Sequence, residues 1–146
     1  CFPKNAEKLY PGAPKLKLHT IHPHEHCQIG DIGFVPIRVM HDQMPILGYR
    51  FGKFAYITDM KSMGEEEYAY LDGVETLVIN ALRFEKTHHS HQLVADAIEV
   101  SRKIGAKHTY FIHVTHQIGF HDEANKRLPE GFEFGFDQME IYVDDK

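Results

Sequence analysis

Cysteine is scarce in this sequence. The two present, Cys1 and Cys27, form no Cys-x-x-Cys pair, which argues against a zinc ribbon and suits reduced thiols in a cytoplasmic protein. Positive charge is not in excess: 16 Lys and Arg against 21 Asp and Glu give a net charge of −5, so no general electrostatic case for gripping nucleic acid arises. No apolar run approaches the ~20 residues that span a bilayer, and no signal peptide is visible. Repeats, low-complexity tracts and linkers are missing as well. The expectation is a single domain over residues 1–146, with 42% hydrophobic residues to build its core. An initiator methionine is also lacking, since the first residue is Cys1. That leads to the expectation of a longer parent protein.

What the sequence has in quantity is histidine. There are 12, and they do not form a tag-like run. Imidazole is the commonest metal ligand and a frequent acid or base near neutral pH.

The apolar pattern predicts where these histidines fall. Residues 1–14 are broken by Pro3, Pro11 and Pro14 and read as irregular. Leu16–Ile21 alternates as a short strand, and Phe34–Met40 is a second strand after a turn-like Gly30-Asp31. Gly48–Phe51 and Phe54–Thr58 form a hairpin turned at Gly52-Lys53. Glu65–Leu71 is a short helix with an acidic start, and Val74–Asn80 a buried strand. The longest helix is capped by Ser90, buries Leu93, Val94, Ala97, Ile98, Ser101 and Ile104, exposes Gln92, Asp96, Glu99 and Lys103, and stops at Gly105. Thr109–Ile112 is a buried strand, His121–Leu128 a helix ended by Pro129, and Phe132–Phe134 with Met139–Val143 a closing hairpin about Asp137-Gln138. Strands first, then strands and helices in alternation, predict an α/β or α+β layered domain whose mixed sheet begins antiparallel.

Three metal-capable side chains share one place in that pattern. His41 follows Phe34–Met40, Asp59 follows Phe54–Thr58, and His113 follows Thr109–Ile112. Ligand sites in α/β layers gather at the carboxyl ends of strands, and two histidines with a carboxylate suit zinc, manganese or iron. The alternative is that these are strand-end polar groups bonded to nearby backbone.

Five stretches in order add a resemblance. His41-Asp42-Gln43-Met44-Pro45-Ile46-Leu47-Gly48-Tyr49-Arg50-Phe51, Tyr56-Ile57-Thr58-Asp59, His88-His89-Ser90-His91, Tyr110-Phe111-Ile112-His113-Val114-Thr115-His116, and Leu128-Pro129-Glu130-Gly131 with Phe136-Asp137-Gln138-Met139-Glu140-Ile141 resemble the carboxy-terminal half of metallo-β-lactamase-fold hydrolases. Among these they are most similar to PhnP-type cyclic phosphodiesterases and ribonuclease Z-like enzymes. The resemblance implies part of an αββα sandwich, a mixed sheet with helices on one face. It implies a metal-dependent phosphodiesterase acting through a two-metal-activated hydroxide, with ribonuclease Z-like RNA processing, a non-catalytic half-fold, or thioester or lactone hydrolysis as alternatives. By the same resemblance His41 binds one metal, Asp59 bridges two, His113 binds the second, and His91 stays off the metals as general acid. His116 and His121 are candidates to line the site or orient its ligands.

The sequence departs from that family in lacking its upstream His-x-His-x-Asp-His motif. His22-Pro23-His24-Glu25-His26 has the wrong spacing to replace it, and His19, His22, His24 and His26 read as a polar strand face or exposed loop. Two divalent ions, zinc or manganese, are therefore expected in the complete enzyme, one or none in this chain, and the chain alone is expected to be inactive. The expected partner is a small phosphodiester substrate, without membrane or nucleic acid, and a homodimer is one way to cover an exposed sheet face.

Overall fold

The computed structural model describes residues 17–143. Strands β1 (Cys27–Ile29), β2 (Ile32–His41), β3 (Met44–Phe51), β4 (Phe54–Ile57), β5 (Ser62–Met63), β6 (Thr76–Asn80), β7 (His108–Ile112) and β8 (Phe132–Phe134) join one sheet. Its order is β1-β2-β3-β4-β6-β7-β8, with β5 on the free edge of β2. The first four strands pair antiparallel, whereas β4, β6, β7 and β8 pair parallel. The expected mixed sheet with an antiparallel start is what the chain forms.

Sequence explains the division. β2, β3 and β4 are joined by two-residue turns at Asp42-Gln43 and Gly52-Lys53, which only antiparallel neighbours allow. β6 reads Thr-Leu-Val-Ile-Asn without alternation, and Leu77, Val78 and Ile79 are all buried. A central parallel strand covered on both faces needs that composition. Helix α1 (Val94–Ile104) supplies its crossover to β7, and a 3-10 helix (Glu65–Leu71) precedes it. Ile37, Val39, Ala55, Ile57, Leu77, Ile79, Phe111 and Phe134 form the covered face and meet Val94, Ala97 and Ile104 of α1. Inside that interface the Ser101 and Thr109 hydroxyls bond at 2.6 Å, so neither polar group is stranded. α1 ends where expected, at Gly105 in the left-handed conformation (φ 84°), whose N–H closes on the Ser101 and Arg102 carbonyls.

Four expectations are corrected. Residues 17–22 form no strand: Leu18 is 90% exposed and finds no ladder partner, while Leu16 lies outside the described residues. Ser90 does not cap α1. The helix starts three residues later, with Leu93 N–H donating to the Asp96 carboxylate at 3.0 Å, so Gln92 precedes the helix and is buried rather than facing solvent. The second helix, α2, is shorter than 121–128 and runs His121–Asn125, because the following N–H groups turn back to carbonyls three residues behind: Arg127 to Ala124 and Leu128 to Asn125. Residues 139–143 form no closing strand. The turn at Asp137-Gln138 exists, with Met139 N–H donating to the Phe136 carbonyl at 3.1 Å, but the chain leaves it without pairing, and β8 bonds only to β7, in parallel.

Candidate metal centre

Four side chains converge at the carboxyl ends of the central strands. His41 is the last residue of β2, Asp59 lies two beyond β4, His113 directly follows β7, and His91 stands in the loop between β6 and α1. Asp59 and His113 both take left-handed backbone conformations, φ 57° and 55°. That conformation is uncommon outside glycine, though enriched for Asp and His, and it reverses the chain at the strand end. Asp59 Oδ1 lies 3.4 Å from His91 Nε2 and 3.2 Å from His113 Nδ1, so one carboxylate oxygen is shared by two imidazoles. The His91 ring stacks on His113 with centroids 4.7 Å apart and meets His41 edge-on at 4.8 Å. A cleft of about 510 Å³ opens beside them, lined by His41, Asp42, Gln43, Met44, His89 and Ser90.

The donor set fits a cation. One ligand atom each from His41, Asp59 and His91 lie within 4.8 Å of one another. Ser90 N–H donates to His88 Nδ1 at 3.3 Å, so that nitrogen carries a lone pair. His91 Nδ1 lies 3.2 Å from the same nitrogen and 3.1 Å from Ser90 Oγ, so it can either carry the proton or accept the Ser90 hydroxyl. Burial, more than any other influence, pushes the His91 pKa down, with the neighbouring His113, His41 and His88 acting in the same direction against Asp59. With its proton on Nε2, His91 donates to Asp59 Oδ1 at 3.4 Å. His88 is also pushed down, first by desolvation and then by His89, Arg83, Lys61 and His41.

The other candidates are placed elsewhere. His116 is exposed in a 3-10 turn (His116–Ile118), and His121 Nε2 donates to the Phe134 carbonyl at 2.9 Å; among the described residues no hydrogen bond or ring contact ties either to the cluster. His19, His22 and His26 are exposed. His24 is not an idle loop residue: its Nε2 lies 2.8 Å from the carboxylate of Glu67, which is 2% exposed, and its ring stacks on Tyr70. Lys61 Nζ donates to the His91 carbonyl at 3.2 Å, and Arg83 donates to the Lys86 and Thr87 carbonyls and to Gln117 Oε1, shaping the loop before His88. Asn80 and Gln92, both buried beneath the cluster, were not legible as site residues.

The profile of the beta-lactamase superfamily domain matches residues 2–114. The chain belongs to the beta-lactamase superfamily. Within this superfamily a solved diphosphatase from the PhnP family is 34% identical and superposes with a TM-score of 0.82, over 88% of this chain and 49% of its own. That similarity agrees with the PhnP-like motifs. The metallo-beta-lactamase fold protein YhfI from Bacillus subtilis shares the fold at 13% identity, with a TM-score of 0.60 over 79% of this chain and 51% of its own. A protein of Porphyromonas gingivalis named octanoyltransferase is 39% identical over 137 residues, 94% of this chain but 28% of its own length. The chain thus spans about half the length of these solved superfamily members and about a quarter of that curated relative. No helix among the described residues is long and apolar enough to cross a membrane.

Proposed function

We propose that this chain carries part of the active site of a metal-dependent phosphodiesterase acting on a small phosphodiester. The observation that supports it best is the sharing of Asp59 Oδ1 between His91 and His113, with His41 alongside, at the mouth of a cleft. The likeness to a PhnP-family diphosphatase points to a phosphate ester as the substrate class.

In this reading His41, Asp59 and His113 would hold divalent ions, zinc or manganese, with Asp59 able to serve both. Such ions supply Lewis-acid activation of water and neutralisation of phosphate charge. Asp59 suits sharing because a carboxylate has two oxygens and about four lone-pair sites. His91, packed between His41 and His113, stands where it can pass a proton to the departing oxygen, a contribution of ~10²–10⁴-fold when it is made. Lys61, held against the His91 carbonyl, adds positive charge near the phosphate.

The test uses the full-length protein. Metal analysis is expected to find close to two divalent ions per chain, and Asp59→Ala to abolish hydrolysis of bis(p-nitrophenyl) phosphate. An Asp59→Ala protein that is folded and still hydrolyses this ester sinks the proposal. One observation favours a second reading, cleavage of an acyl thioester: the octanoyltransferase name of a relative 39% identical to this chain. Because the match covers 28% of that relative, its named activity can lie in the remainder. An octanoyl thioester offered to the same metal-loaded preparation separates the two.

A further inference from the structure

Two of the four candidate residues, Asp59 and His91, are directly followed by residues tied into one buried hydrogen-bond network. Asn80 is its hub. This asparagine ends β6 with its side chain fully buried, and its amide clamps a single residue from both sides: Met60 N–H donates to Asn80 Oδ1 at 2.8 Å, and Asn80 Nδ2 donates to the Met60 carbonyl at 2.9 Å. Met60 directly follows Asp59. The Asn80 carbonyl accepts from Gln92 Nε2 at 2.8 Å, and Gln92 N–H donates to the Met60 carbonyl at 3.2 Å, which closes a ring of three residues. Gln92 directly follows His91. From the next residue, Ala81, an N–H donates to the carbonyl of Ile112, the residue before His113, and Lys61 N–H donates to the carbonyl of Met40, the residue before His41. Among the described residues no hydrogen bond joins the Asn80 or Gln92 side chain to the four side chains, yet both hold the backbone beside two of them directly.

Polar side chains this deeply buried are costly unless fully bonded. A leucine at position 80 would complete the apolar run of β6 at lower desolvation cost. The extra bonds hold two chain segments that leave different elements, the β4 exit and the start of α1, in one register. That is the requirement of a site whose ligands come from separate strands.

We propose that Asn80, with Gln92, is a positioning residue that sets the spacing of Asp59 against His91 and through it the geometry of the metal centre. This rests on the metal-site reading above, so the experiment carries a readout that needs no metal. In full-length, metal-free protein, nitrogen-15 spectra of the imidazoles report tautomer and surroundings. Asn80→Leu and the milder Gln92→Met are expected to shift the His91 and His113 signals. Thr109→Val, which removes the equally buried Ser101–Thr109 bond far down the same sheet, is expected to leave them in place. In cobalt-loaded protein the two site variants are expected to change the visible spectrum and weaken binding by about tenfold or more, with Thr109→Val as the destabilisation control. Folded Asn80→Leu or Gln92→Met proteins whose imidazole spectra match the unaltered protein overturn the proposal. Should the unaltered protein bind no cobalt, the metal-site reading falls, and the imidazole comparison still decides whether Asn80 positions the cluster.

Discussion

Replacing His24 with alanine should destabilise the protein by about 2–3 kcal/mol without touching the metal centre. The figure is worked from three observations. His24 Nε2 lies 2.8 Å from a Glu67 oxygen that also accepts Arg38 N–H at 3.0 Å. Glu67 is 2% exposed while the His24 side chain is 29% exposed, so the carboxylate depends on protein donors and the imidazole does not. A hydrogen bond to a charged group contributes about 1.5–3 kcal/mol. The flat stack of His24 on Tyr70, centroids 3.9 Å apart and planes 4° apart, adds about 0.5–1.5 kcal/mol. Water reaching the vacated side recovers part of the loss, which is why the lower half of the combined range is expected. The assay is urea unfolding of full-length protein at constant slope, with Glu67→Gln in parallel. Its amide oxygen still accepts Arg38 N–H, so that variant should lose about 1 kcal/mol. A His24→Ala loss under about 0.5 kcal/mol, or a Glu67→Gln loss as large as that of His24→Ala, would refute the reasoning that a buried carboxylate depends on this imidazole.

Three further outcomes are expected. His91→Gln should keep its full metal content while turnover falls by roughly 10²–10⁴-fold; loss of metal measured by elemental analysis would instead make His91 a ligand. His121 has its pKa raised, first by its bond to the Phe134 carbonyl and further by Asp122. Its contribution to stability is therefore present below the ordinary histidine value of about 6.5 and lost as pH rises through the raised folded value. Urea unfolding at pH 5.5 and pH 8 should show a larger gap between the unaltered protein and His121→Gln at the lower pH, a small one because the ring is 38% exposed. Gly105→Ala should cost about 1 kcal/mol, because φ 84° at the end of α1 is a left-handed conformation that strains alanine; equilibrium unfolding measures it.

Much of the site was legible because it is written in strand ends. A polar, metal-capable residue after an apolar run is visible in one dimension, and His41, Asp59 and His113 stand where that logic put them. His91 was reached only through family resemblance, since the loop before α1 has no periodicity to read. The buried network was hidden for a related reason. Gln92 fits the polar face of a helix extended back to Ser90, whereas the Asp96 carboxylate caps the helix later and leaves Gln92 to reach Asn80. Local signals place an asparagine at a strand end; only the sheet shows that it faces Met60. In sequence His24 reads as part of a polar strand face or exposed loop because nothing near it reveals Glu67, 43 positions on. The expected strands have suitable alternation, but among the described residues 17–21 and 139–143 find no neighbouring ladder to bond. Strand formation depends on a partner more than on propensity.

The order of strands has a consequence for how the protein matures. His41 belongs to the antiparallel hairpins, whose contacts are local and form early, whereas His113 ends β7, which reaches its place only after a helical crossover and a parallel pairing. Long-range parallel pairing is the slow part of such a topology. On the proposed metal-site reading the candidate ligand set is therefore complete only in the finished sheet, and metal capture should be among the last events on the folding pathway. An ion that binds only the finished sheet pulls the equilibrium toward it by mass action, so metal supply during synthesis would govern the yield of folded protein as well as its activity.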